Sequence, residues 1–384
     1  MKLPPLSLYI HIPWCVRKCP YCDFNSHALR DELPEQTYVE ALLKDLRAEL
    51  SSVSGRPLES IFIGGGTPSL LSAGAVAQLL REVEEEIAFA DAIEITLEAN
   101  PGVLETGQFE GYRQAGVNRL SLGIQSFDEG SLQALGRIHS PREALSAAAL
   151  AKEAGIERIN LDLMFGLPHQ SVDMARRDLV SAIALETEHL SYYQLTLEPN
   201  TAFHHQPPPL PDEEVLWQMQ QQGEELLAQA GYQRYEISAF ARPGAWCRHN
   251  LNYWRFGDYL GIGAGAHGKI TLPDGQVMRM WKRRHPSEYL AAIEAASFVQ
   301  GRRRLDRADL LLEFMMNALR LCEGVESELL EATTGIPLEA VEAHLELAVD
   351  KGLLLPVTER LRPSPLGHQF LNDLLSFFEV KSIS

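Results

Sequence analysis

The stretch His11-Ile12-Pro13-Trp14-Cys15-Val16-Arg17-Lys18-Cys19-Pro20-Tyr21-Cys22-Asp23 sets three cysteines within eight residues. Only Cys247 and Cys322 occur elsewhere in the 384-residue chain. Cysteines that serve as core packing scatter along a chain, whereas three side by side can converge on one metal centre. A closed zinc or iron–sulfur site takes four protein ligands, so three leave one coordination position open. Three readings compete. A disulfide framework would need an even number, and Met1-Lys2-Leu3-Pro4-Pro5 leads into no apolar signal segment. A zinc site would need His11 or His27 as fourth ligand, and no second cysteine pair follows the Cys-x3-Cys-x2-Cys spacing. The third is a [4Fe–4S] cluster held by Cys15, Cys19 and Cys22, with one iron not ligated by protein.

Outward from this stretch, β-rich and helical patterns alternate. Strands are expected at 8–12, 60–63, 92–97, 119–122, 158–163 and 190–197, with helices at 36–50, 73–86, 105–114, 141–154 and 172–185 between them. Such a βα rhythm implies parallel strands with helical crossovers. The fold class is α/β: an incomplete (β/α)6 TIM-like barrel, with a doubly wound open sheet as the alternative. Each strand delivers glycine or polar residues at its carboxyl end. The cysteines follow the first, Gly64-Gly65-Gly66-Thr67-Pro68 the second and Glu98-Ala99-Asn100-Pro101 the third. Gly123-Ile124-Gln125-Ser126 ends the fourth, Asp162 and Gly166-Leu167-Pro168 the fifth, and Glu198-Pro199-Asn200-Thr201 the sixth. In a βα barrel that is the catalytic face.

The proline-rich run 204–211 reads as an extended linker, after which Asp212 caps a helix reaching about residue 231. Residues 232–300 are mixed and aromatic-rich. Beyond 306 the pattern is mainly helical (307–322, 326–333, 338–351), with β-like segments at 353–356 and 360–363 and a last helix from 366. Three helices and a small ribbon give a winged-helix-like C-terminal domain. The expected division is 1–205 for the barrel, 206–300 for a linker and barrel extension, and 301–384 for the helical domain.

Net charge is −18, which argues against nucleic-acid binding. No apolar run reaches the length of a transmembrane helix. Free thiols without an export signal imply a reducing, cytoplasmic setting.

Cys-x3-Cys-x2-Cys with Tyr21 before the last cysteine resembles the radical S-adenosylmethionine (SAM) superfamily. The resemblance implies SAM bound to the open iron and cleaved reductively to a 5′-deoxyadenosyl radical. It also implies a SAM pocket. Gly65, Gly66 and Thr67 match the turn that meets the methionyl amino group, and Glu98 matches a carboxylate facing SAM. Gln125 and Asp162 suit the ribose hydroxyls, Arg137 suits a carboxylate, and Tyr9 matches on the strand leading to the cluster.

Five further stretches are similar to the oxygen-independent coproporphyrinogen dehydrogenase group. They are Tyr9–Pro13, Gly64–Pro68, Arg119–Phe127, Asn160–Pro168 and Tyr235–Ala241. Within that group, the dehydrogenase branch (HemN) carries a fourth cysteine two residues after the third, where this chain has Phe24, and a longer N-terminal lead. His249-Asn250-Leu251-Asn252-Tyr253-Trp254 instead matches the signature of the heme-chaperone branch (HemW type). That branch implies binding of heme and its transfer to acceptor apo-proteins, without coproporphyrinogen dehydrogenation. His249 is the expected heme contact, with Tyr253 one helical turn on. His11, His27, His204, His205, His267 and Cys247 remain alternative ligands. Peripheral membrane contact and heme-induced dimerisation stay open, as does the dehydrogenase activity as the rival function. Gly261–Gly268 is not read as a dinucleotide fingerprint, because no ribose-binding acid follows in a βαβ frame.

Overall fold

The computed structural model describes residues 3–53, 55–103, 106–295 and 297–380. Six strands run parallel and side by side in chain order: β1 (Leu6–Ile12), β2 (Leu58–Gly65), β3 (Phe89–Ala99), β4 (Arg119–Gln125), β5 (Arg158–Phe165) and β6 (His189–Gln194). Between them lie α1 (Glu35–Glu49), α2 (Ala73–Glu86), α3 (Thr106–Gln114), α4 (Pro141–Glu153) and α5 (Val172–Ala184). The expected helix start at 105 lies outside the described residues. A doubly wound sheet reverses its strand order at a switch point. Here six strands advance in one direction, so right-handed crossovers put all five helices on one face and the other face closes inward. This is the incomplete barrel.

Alternation along the strands decides which face is which. On β1, Leu6, Leu8, Ile10 and Ile12 are fully buried against the helix layer. Ser7, Tyr9 and His11 point the other way. Ser7 bonds Ser60 of β2 at 2.8 Å, and Tyr9 stacks on Phe62. The same alternation puts Glu94, Arg119, Asn160 and His189 near the strand starts inside the barrel. The interior is therefore polar, and the apolar core lies between strands and helices. Side-chain caps fix where the helices begin. Ser72, Ser140 and Ser171 accept from the backbone N–H of Ala75, Glu143 and Met174.

The segment 232–300 does more than the mixed pattern suggests. After α6 (Glu213–Gln229), it adds six strands to the same sheet: β7 (Gln233–Glu236), β8 (Ala239–Ala241), β9 (Asp258–Ile262), β10 (His267–Thr271), β11 (Val277–Lys282) and β12 (Val299–Arg304). The sheet has twelve strands in the order β12-β11-β10-β9-β1-β2-β3-β4-β5-β6-β8-β7. β9 joins β1 in parallel, extending the parallel block by a seventh strand, while the outer strands are antiparallel. Buried Lys282 of β11 locks this extension to α1, reaching Asp45 at 2.6 Å and Glu49 at 2.9 Å. A short helix, α7 (Arg248–Trp254), lies across the strand starts.

A second apolar core surrounds α8 (Arg307–Ala318), α9 (Glu328–Thr334) and α10 (Glu342–Asp350). The small ribbon pairs β13 (Val325–Glu326) with β14 (Arg360–Leu361). The expected strand at 353–356 is reduced to one bridge, Leu354 to Pro363. Phe256 and Val277 also belong to this second core, so the C-terminal helices pack on the sheet extension.

Candidate functional site

The cysteine loop leaves β1 and closes on itself. Trp14–Cys15 pairs with His27–Ala28, and Lys18 Nζ donates to the carbonyls of Phe24 and Ser26, both at 3.2 Å. Asn25 Nδ2 donates to Ala264 O at 2.9 Å and Arg284 O at 2.8 Å, tying the loop to the sheet extension. Cys15, Cys19 and Cys22 are free and half-buried. Burial pushes the Cys15 and Cys22 thiols up from their ordinary range. Among the described residues, no three His, Cys, Asp or Glu side chains are drawn tightly enough around one point to hold a single ion. The three thiols instead line a cavity of about 390 Å³ at the carboxyl ends of the strands.

The same cavity gathers Gly65, Gly66, Thr67, Glu98, Gln125, Arg137 and Asp162 from four further strand ends and the loop beyond β4. Gly65 has φ +115°, and a Cβ there would fall 2.6 Å from the His11 ring. At Gly66 a Cβ would meet Trp14 O at 2.4 Å. Only glycine allows the turn to sit this close under the cysteine loop. Gly65 N–H donates to Glu98 Oε2 at 3.0 Å. Arg137 Nη2 donates to Asn100 Oδ1 at 2.6 Å and Gly123 O at 2.7 Å, and its Nη1 lies 3.9 Å from Cys19 Sγ. Asn100 in turn donates to Thr67 Oγ1 at 3.0 Å. The buried Nε of Arg137 has no partner. Gln125 adopts φ 68° and accepts from Tyr193 O–H at 2.9 Å. Asp162 accepts from Ser121 at 2.8 Å and Asn160 at 2.9 Å.

Burial, and then the nearby Asp162, push the Glu98 carboxyl up to about 8. Asp162 is raised by burial as well. No lysine or arginine among the described residues comes within ion-pair distance of either acid. A cavity with two such carboxyl groups favours a cationic guest.

Sequence reasoning missed Asn100, which couples Arg137 to Thr67, and Tyr193, which holds Gln125. Asn100 sits in the strand-end tetrad already noted. Tyr193 lies on the inward alternation of β6.

Three expected contacts lie away from this cavity. Tyr9 is not on its wall; its hydroxyl shares a 2.8 Å hydrogen bond with His11 Nδ1. His249 is fully buried at the opposite mouth of the barrel, with Nδ1 2.9 Å from Ser60 Oγ and Nε2 2.7 Å from Tyr253 O–H. Burial lowers its pKa to about 3, so the ring is neutral and both nitrogens are taken. Tyr253 borders a cavity of about 200 Å³ with Trp254, Phe256 and Tyr259. Cys247 is buried against Glu94, and its thiol is pushed up to about 12. His11 is also buried, bonded to Asn25 O at 2.9 Å. His204, His205 and His267 are exposed, and His27 lies edge-on to His285.

The radical SAM superfamily model matches residues 9–179, and the HemN C-terminal domain model matches residues 305–370. The chain is 51% identical to the heme chaperone HemW of Haemophilus influenzae over 381 residues, 98% of each chain. It is also 51% identical to the heme chaperone HemW of Escherichia coli K12 over 378 residues, 98% of this chain and 99% of that one. A solved structure of coproporphyrinogen III oxidase (HemN) from Escherichia coli shares the fold. Its TM-score is 0.84 at 22% identity, over 99% of this chain and 91% of that one. The radical SAM superfamily match spans the three thiols and the ends of β1 to β5 that surround the polar cavity. Within that superfamily, the chain belongs to the heme chaperone HemW family.

Proposed function

We propose that this chain binds heme as cargo and passes it to acceptor hemoproteins, with a [4Fe–4S] cluster and SAM resident in the cysteine cavity. The observation that carries the reading is near-full-length identity to heme chaperones in a chain whose three free thiols share one cavity with an acid pair. The donor set fits the resident groups. Three soft thiolate donors suit iron, and two buried carboxyl groups without a cationic partner suit the positive charge of SAM. When bound, the cluster would supply the electron for reductive cleavage of SAM.

The protein's own residues do the rest. Cys15, Cys19 and Cys22 hold iron as thiolates. Gly65 and Gly66 would bring backbone close to the guest, and Glu98 would take its ammonium. Gln125 and Asp162 face hydroxyl groups, and Arg137 presents its free Nε to a carboxylate while steadying Cys19. His249 has no free nitrogen, so its use as a heme ligand requires release of one of its two ring hydrogen bonds, to Ser60 or to Tyr253. Among the described residues no helix is long and apolar enough to cross a membrane. Unpaired thiols suit the reducing cytoplasm as the place of action.

The test is anaerobic cluster reconstitution followed by heme titration and, in parallel, incubation with coproporphyrinogen III, SAM and reductant. The expected result is a saturable Soret shift and no protoporphyrinogen. Absence of heme binding, or turnover of coproporphyrinogen, overturns the reading.

A further inference from the structure

Three arginines from separate elements meet at one cavity on the far mouth of the barrel, away from the cysteines. The cavity measures about 570 Å³, and Arg113 of α3, Arg158 of β5 and Arg248 of α7 line it. Arg113 lies across Gly155, where a Cβ would come 3.1 Å from its Nε, and it makes no hydrogen bond or ion pair among the described residues. Arg158 Nη1 stands 3.6 Å from Glu94 Oε2, and Arg248 Nη1 donates to Ala92 O at 2.5 Å. Beside them the fully buried Arg119 keeps Nη1 and Nη2 without a hydrogen bond; its nearest carboxylate oxygen, Glu94 Oε2, is 3.9 Å away.

The acids nearby are the buried Glu94, the exposed Glu157 and the half-buried Glu188, whose charge acts on Arg119 and Arg158. They leave the cavity a net excess of guanidinium groups in a chain of net charge −18. Glu94 already joins Arg119 and Arg158, so Arg113 and Arg248 are the guanidinium groups left without a carboxylate partner among the described residues. The remaining wall includes the exposed Ala92 and the half-buried Ile93, so charge and apolar surface adjoin.

A guest that fits carries two carboxylates next to a flat apolar body. Guanidinium forks pair with carboxylates through two parallel hydrogen bonds, which is stronger and more directional than an ammonium contact. We infer that this arginine cavity seats the paired propionate carboxylates of heme. The inference rests on the cargo reading above and gives it a location at the strand starts, remote from the cluster. Arg248 would grip a propionate from the same helix that carries His249 and Tyr253.

The test uses the full chain with its cluster reconstituted. Heme and heme dimethyl ester, whose propionates are blocked, are titrated in the Soret band against the unaltered protein, Arg113→Ala, and Arg113→Ala/Arg248→Ala. The unaltered protein is expected to bind heme roughly tenfold tighter than the ester. The double variant should lose about that factor for heme and none for the ester. Arg113→Ala removes no bond of the fold and should carry part of the loss, so it decides the matter if the double variant loses its structure. Equal binding of heme and ester, or variants that bind heme as the unaltered protein does, overturn the inference alone. An unaltered protein that takes up no heme at all overturns the cargo reading together with it.

Discussion

At the scale of single residues, Glu98 and Gly65 decide the cavity. The Glu98 carboxyl, ordinarily near 4.5, is held up to about 8 by burial and by Asp162. Between those values the folded chain keeps a proton that the unfolded chain has lost. Stability contributed at this site therefore falls as pH rises through the window. Glu98→Gln should flatten that slope in chemical denaturation run from pH 5 to 8. In the unaltered protein, binding of SAM should tighten over the same range as the carboxylate forms, and the glutamine variant should lose this dependence. Gly65 tests geometry in place of charge. Its φ of +115° and the 2.6 Å approach to His11 leave no room for a methyl group. Gly65→Ala should weaken SAM binding about tenfold or more while the far-ultraviolet spectrum stays native, because the strain of order 1–3 kcal/mol is local.

At the scale of elements, α7 closes the strand-start mouth through His249. Its ring bridges Ser60 of β2 and Tyr253 of its own helix, and its backbone N–H donates to Glu94 of β3 at 3.1 Å. His249→Ala leaves two hydroxyl groups and a cavity behind, at a cost of about 3 kcal/mol in unfolding free energy. The ring pKa near 3 is depressed from 6.5, so the unfolded chain takes up a proton that the folded chain refuses. Stability from this element should fall as pH drops from about 6.5 towards 3, and the alanine variant should lack that part of the decline. A heme-binding defect in His249→Ala is interpretable only beside such a denaturation curve. The sequence showed that Tyr253 follows His249 by one helical turn. The partner of its other ring nitrogen was not legible, because Ser60 lies 189 residues away.

At the scale of the whole molecule, the C-terminal helices pack on the sheet extension. Arg320, just beyond α8, donates to Glu236 of β7 at 3.0 Å and stacks its guanidinium 4.3 Å from the Trp254 ring. Arg320→Ala should destabilise the fold by about 1–3 kcal/mol and speed proteolysis of the C-terminal helices. Limited digestion with mass mapping reads both the rate and the place. The six parallel strands were legible because each announces itself locally, through an apolar run with cysteine, glycine or polar residues at its carboxyl end, and serine caps open α2, α4 and α5. The six strands of 233–304 were not. β8 is only three residues long, and β9 finds β1 across some 250 positions, a pairing that no local pattern encodes. The inward row of Ser7, Ser60, Asn160 and His189 resembles a solvent-facing strand edge in sequence, yet all four are buried. Closure of the sheet turns that face into an interior.

The staple formed by Asn25 bears on how the protein matures. The thiol loop is clasped by its own amide and lysine bonds to Ala264, Arg284, Phe24 and Ser26. None of these bonds uses a cysteine side chain, so they hold the loop independently of what the thiols bind. Loading with iron and sulfide should leave amide exchange of β1 and the β9–β10 turn nearly unchanged. Asn25→Ala, by contrast, should slow loading, since the chain must then search for a shape it no longer keeps.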